Sequence, residues 1–144
     1  MLETLIYTSI ASDSLDALEV AEIIERSRTF NQLDGVSGLL LYCNNYFMQC
    51  IEGTGEGVQR TYRRILRSSK HHHVVELFNA SVDRRRFSNW SWAYRSDDFQ
   101  QYSSLQTQVF LNPKDKQEYP FIEQTILTGF WNDSNDKNQF WGLQ

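Results

Sequence analysis

Residues 36–53, VSGLLLYCNNYFMQCIEG, constrain the fold more than any other stretch. Asn44-Asn45 divides two apolar runs and marks a turn. A two-residue hairpin there pairs Cys43 with Tyr46 and Leu39 with Cys50, so the two cysteines do not face each other and no disulfide is expected. Successive strand side chains point to opposite faces. Phe47, Gln49 and Ile51 therefore share one face of the second arm, and Met48 and Cys50 the other. Both faces are apolar, so both need covering. Gln49 is the exception in this run. Its amide carries two donors and an acceptor, and burying such a group unpaired costs about 1–3 kcal/mol. It needs a partner.

The rest of the chain supplies the cover. LIYTSI (5–10) reads as a first strand. Residues 14–31 read as a helix capped by Asp13 or Ser14, with Leu15, Leu18, Val20, Ile23, Ile24, Ser27 and Asn31 at helical spacing. Strands follow at 36–43 and 46–53. GTGEG (53–57) turns into a helix at 58–70, carrying Val58, Tyr62, Ile65 and Leu66 on one side. Strands at 74–82 and 89–94 complete a βαββαββ order. This order suggests an α+β sandwich with both helices on one face of the sheet. Residues 97–110 and 118–131 read as helices, separated by Asn112-Pro113. The second is strongly amphipathic and is expected to cover the other face. Residues 132–139, NDSNDKNQ, read as a polar, mobile end. The division is residues 1–95 as one domain and 96–144 as a helical extension of the same compact unit.

Composition excludes several classes. A net charge of −4 argues against direct nucleic-acid binding, which needs a basic face. No apolar run approaches the ~18 residues of a membrane span. Glu3 stands where a signal peptide has a basic region, so the expected location is cytoplasmic and the cysteines free. GTGEG lacks phosphate-loop spacing, and Glu56 would repel phosphate. Consecutive His71-His72-His73 cannot converge on a metal, so no metal site is expected. Arg84-Arg85-Arg86 reads as a solvated loop.

Three polar residues remain on apolar faces. Tyr7 shares a side of the first strand with Leu5. Asn31 lies on the buried stripe of the first helix, and Gln49 lies between Phe47 and Ile51. If that helix packs over Tyr7 and Gln49, a phenol and two amides meet in an apolar pocket. They either bond to each other and to backbone or hold a flat heterocycle with alternating donors and acceptors.

Residues 5–95 resemble the BLUF family of blue-light sensors that use FAD. The resemblance rests on LIYTS, on FNQLDGVSGLLLYCNNYFMQCIEG (30–53) and on FSNWSWAY (87–94). It implies that Tyr7 is the electron-donating tyrosine, Gln49 the switching glutamine and Asn31 the residue holding a flavin carbonyl, with Trp90 near the glutamine. It places Ile24, Ser27, Phe30, Leu40 and Phe47 around the ring, and Arg64, Ser68, Lys70 and His71, at the end of the second helix, near the ribityl and phosphate end. The implied cofactor is noncovalent FAD, with FMN or riboflavin as alternatives. The implied output is contact with a downstream signalling protein, from a homo-oligomer, with no catalytic residues. The sequence departs from the family at Trp92, where a methionine is usual. By alternation Trp92 shares a face with Trp90 and is expected beside Gln49. The competing readings are a ferredoxin-like regulatory module without flavin and, last, a hydrolase of the acylphosphatase type, which residues 9–14 disfavour because they hold no arginine.

Overall fold

The structure is a computed structural model that describes residues 1–13, 15–96, 99–103 and 122–133. A six-stranded sheet runs in the order β4-β1-β3-β2-β5-β6. Its strands are β1 (Leu2–Ala11), β2 (Ser37–Cys43), β3 (Tyr46–Thr54), β4 (His71–Val82), β5 (Trp90–Ser96) and β6 (Phe99–Ser103). The helices are α1 (Ala17–Leu33), α2 (Gly55–Arg67) and α3 (Ile122–Asp133). All pairings are antiparallel except β2 with β5. The first four strands keep the ferredoxin-like order, and β5 extends the sheet beside β2.

The hairpin forms as expected. Cys43 pairs with Tyr46 and Leu39 with Cys50. Asn44 and Asn45 adopt φ of 46° and 75°, the left-handed pair that matches the twist of the flanking strands. The cysteines are free and buried. Gly38 has no substitute: a Cβ there would fall 1.9 Å from the Cys50 carbonyl oxygen.

Both faces of β3 are covered. On one, α1 contributes Val20 and Ile24 against Leu40, Tyr42 and Phe47, and Val58 of α2 packs with Leu5, Tyr7 and Ile51. On the other, Leu127, Phe130 and Trp131 of α3 pack on Ile6, Leu39, Leu41, Met48 and Cys50. The amphipathic tail thus lies on the back of the sheet.

Element ends differ from the sequence reading for local reasons. Asp16, not Asp13 or Ser14, caps α1. Its side chain accepts from the Glu19 N–H at 2.8 Å, and Glu19 accepts in return from the Asp16 N–H. Helix α2 starts at Gly55 because the Thr54 hydroxyl accepts from the Gly57 N–H. It stops at Arg67, and β4 begins at His71, paired with Ala11. His71 is therefore a strand residue, not a helix end. Leu18 and Leu66 lie on the solvent side, at 69% and 52% exposure. The expected helix at 97–110 is wrong at its start, since residues 99–103 form β6 against the otherwise open edge of β5. Residues 104–121 and 134–144 lie outside the described residues.

In the arginine run, Arg84 is exposed as expected, but Arg85 and Arg86 are half-buried and structural. Arg85 donates to the carbonyls of Gly35 and Glu52 and to the Ser37 hydroxyl. The N–H groups of Arg86 and Phe87 donate to the fully buried Glu52 carboxylate, which also accepts from Thr4.

Because Leu127 is fully buried in the back-face core, Leu127→Ala is expected to cost about 2–5 kcal/mol. Urea unfolding measures it, and a loss below about 1 kcal/mol would mean that α3 does not share the core.

Candidate functional site

A cavity of about 430 Å³ opens between α1 and α2 above the sheet. Its floor follows from the register. Tyr7 pairs with Gln49, Gln49 with Leu40, and Leu40 with Trp92, so one cross-strand row carries all four. The Tyr7 hydroxyl donates to Gln49 Oε1. Both residues are buried, and burial pushes the Tyr7 phenol well above its ordinary value, with Tyr62 adding to the effect. With Oε1 engaged, the Gln49 amide NH2 is the group left to donate.

Asn31 sits on α1 above this floor and is buried. Its Oδ1 accepts from Arg64 Nη2 at 2.9 Å, while Arg64 Nη1 donates to Asp34 at 2.8 Å. The guanidinium also lies over the Phe30 ring, 4.9 Å from its centroid. These contacts fix the Asn31 amide with its oxygen turned to Arg64. Its Nδ2 is then buried without a hydrogen-bond partner. An orphan donor of this kind costs free energy unless a ligand accepts from it.

Ser27, Phe30, Leu40 and Phe47 line the cavity as the sequence suggested, as do Arg64, Ser68, Lys70 and His71. Two expected placements, those of Ile24 and His71, need correction. Ile24 does not line the cavity; it is buried beneath α1 against the sheet, and Ile23 lines it instead. Trp90 and Trp92 are not on its wall. They pack on the cluster of Leu40, Tyr42 and Phe47, and Trp92 stacks on Tyr94 at 5.5 Å. In the register, Leu40 of β2 pairs with Gln49 on one side and with Trp92 on the other, so the two backbones lie about two strand spacings of ~4.8 Å apart. His71 is a wall rather than a free donor. Its Nε2 donates to the Ile65 carbonyl and its Nδ1 meets the Ser9 hydroxyl, each at 2.7 Å.

Arg26, Ile65 and Arg67 also line the cavity and were missed. Ile65 was legible as part of the apolar stripe of α2. Arg26 and Arg67 gave no signal, because an exposed cation on a helix looks the same whether or not it borders a pocket.

A ferredoxin-like sheet with an apolar, sparsely polar cavity under two helices defines a small-ligand-binding domain. The chain belongs to the BLUF family, sensors of blue-light using FAD, whose pattern matches residues 2–93. The matched region is a flavin-binding blue-light sensor and carries no catalytic domain. The chain is similar to the blue light- and temperature-regulated antirepressor BluF of Escherichia coli (strain K12), at 34% identity over 60% of this chain and 22% of that one. The match thus spans about a fifth of that relative's length. Among solved structures, BlrB in its dark state superposes with a TM-score of 0.60 and 28% identity over 67% of this chain and 74% of that one. BlsA in its ground state does so with a TM-score of 0.61 and 28% identity over 98% and 92%. No helix among the described residues is long and apolar enough to cross a membrane.

The bonds from Arg64, and secondarily Arg60, hold the Asp34 carboxyl below its usual range despite partial burial. A depressed folded value contributes stability above the unfolded value, near ~3.9. That contribution is lost as pH falls through the lower folded value. Asp34→Asn is therefore expected to flatten this part of the acid limb of unfolding free energy, read by denaturant titrations between neutral and acid pH.

Proposed function

We propose that this chain binds FAD noncovalently in the cavity between α1 and α2 and converts blue light into a rearranged hydrogen bond between Tyr7 and Gln49. The observation that carries this reading is the buried Tyr7–Gln49 bond on the cavity floor, facing a buried Asn31 donor that has no partner. A flat ring with carbonyl and imine acceptors fits that donor set. Asn31 Nδ2 and the Gln49 NH2 would donate to it, and Leu40, Phe47, Ile23 and Ile65 would cover its faces. Arg26, Arg64, Arg67 and Lys70 border the same cavity. Their charge favours a phosphate-bearing flavin, FAD or FMN, over riboflavin.

When bound, the flavin supplies the blue absorption and a one-electron acceptor. The protein supplies the proton path. Because burial keeps the Tyr7 phenol protonated, its oxidation requires that the proton leave with the electron, and Gln49 Oε1 is the acceptor already in place. Recombination would return the electron and the proton to Tyr7 and leave the Gln49 amide with its hydrogen bonds rearranged, by rotation, tautomerism or both; after rotation its NH2, not its oxygen, would face Tyr7 Oη. Two arrangements of one side chain then form the switch, without a lasting chemical change.

Output passes from this chain to a downstream signalling protein, and the chain acts as a homo-oligomer. Residues 1–95 hold the flavin and 96–144 serve as the extension that reads the switch. The position of α3, on the opposite face of β3 from Gln49, supports that division.

The test is an absorption spectrum of the purified protein before and just after blue light. A flavin spectrum that shifts slightly to the red and recovers in darkness is expected; a flavin that bleaches would refute the mechanism. Tyr7→Phe and Gln49→Ala should each retain flavin and lose the shift. Asn31→Ala should weaken flavin retention about tenfold, the value of one hydrogen bond of ~1.4 kcal/mol, measured by flavin release on dilution.

A further inference from the structure

A second, polar cleft lies at the opposite end of the sheet, where the parallel strands β2 and β5 begin. It has a volume of about 470 Å³ and lies between the C-terminal half of α1 and the loop leading into β5. Groups able to donate stand on both sides of it: Arg28 and Gln32 from α1, and Arg85, Ser88, Asn89 and Trp90 from the loop and strand. Among the described residues, no carboxylate lines it. In a chain of net charge −4, that makes the cleft a local reversal of sign.

Arg85 is its centre. Three of its five N–H groups are engaged, all with neutral acceptors: Ser37 Oγ, the Glu52 carbonyl and the Gly35 carbonyl. Among the described residues its charge has no carboxylate partner, and Nε with one Nη2 hydrogen remains, the fork that grips a carboxylate from the side. Arg28 has only the exposed Glu25 as its counter-ion, a pair worth little in water. The loop is held rigidly, because the N–H groups of Arg86 and Phe87 hang on the buried Glu52 carboxylate. The guanidinium is therefore preorganised. Trp90 lines the same cleft, and its indole Nε1 is buried without a hydrogen-bond partner. Arginine and tryptophan together are the residue types that dominate binding at protein interfaces.

We infer that this cleft is the docking point for an acidic segment of a partner protein, whose carboxylate sits between Arg28 and Arg85 against Trp90. A partner held there rests on the first residue of β5, the strand that continues to Trp92 in the row of Gln49. The assignment rests on the reading that output goes through a protein partner. Its test uses neither light nor the flavin spectrum, so its failure leaves the switch untouched.

The test is an NMR titration of the full-length, flavin-bound protein in the dark, following the Trp90 indole N–H, which is identified by its loss in Trp90→Phe. The probes are a capped peptide with adjacent glutamates beside a leucine, the same peptide with glutamines, and sodium phosphate at matched ionic strength. Saturable movement of the Trp90 signal by the glutamate peptide alone is expected. Arg28→Glu should weaken it about tenfold or more, with the fold unchanged because Arg28 is exposed; Gln32→Glu, also exposed, should weaken it in the same direction. Arg85 also pins the Gly35 turn, so it is not the test residue. No movement, equal movement with the glutamine peptide, or insensitivity to Arg28→Glu would each overturn the assignment. Saturation by phosphate alone would overturn it in favour of a free oxyanion.

Discussion

Everything in this fold depends on burying both faces of β3. Every residue from Phe47 to Gly53 is buried. A central strand in that position needs a layer on each side, because either face left open would expose a contiguous apolar patch. The two early helices cover one face and α3 the other. The order β4-β1-β3-β2 places β3 between β1 and β2, so its backbone polar groups are paired as well.

Two polar side chains interrupt that strand, one on each face, and each organises its surroundings. Gln49 faces the helices and accepts from Tyr7, at the floor of the cavity. Glu52 faces the back and accepts from Thr4, Arg86 and Phe87. Burial raises the Glu52 carboxyl while its hydrogen bonds pull it down. Its function is architectural: it hangs the loop that delivers Trp90 to β5. The strand that senses the ligand thus also places the strand expected to report it. Trp92, where a methionine is usual, lies in the same cross-strand row as Gln49, with Leu40 of β2 between their backbones.

The hairpin, the parity of β3 and the tail on the back face were legible because each follows from local chemistry. Turn residues, period-two alternation and an amphipathic stripe read directly from letters. The errors fell where tertiary pairing overrides local pattern. Residues 99–103 became a strand because β5 offered an open edge, and His71 joined β4 because β1 reached Ala11. Arg85 and Arg86 looked like a solvated run because their acceptors, on Gly35, Ser37 and Glu52, are distant in sequence.

The site divides in the same way. By itself the sequence determined which residues needed partners: a tyrosine, an asparagine and a glutamine on apolar faces, since unpaired burial is costly. Only the tertiary structure decided how they meet. Arg64, on a different helix, fixes the orientation of the Asn31 amide, and strand register sets Tyr7 against Gln49. Orientation depends on contacts between segments far apart in the chain, and no local pattern of residues encodes it.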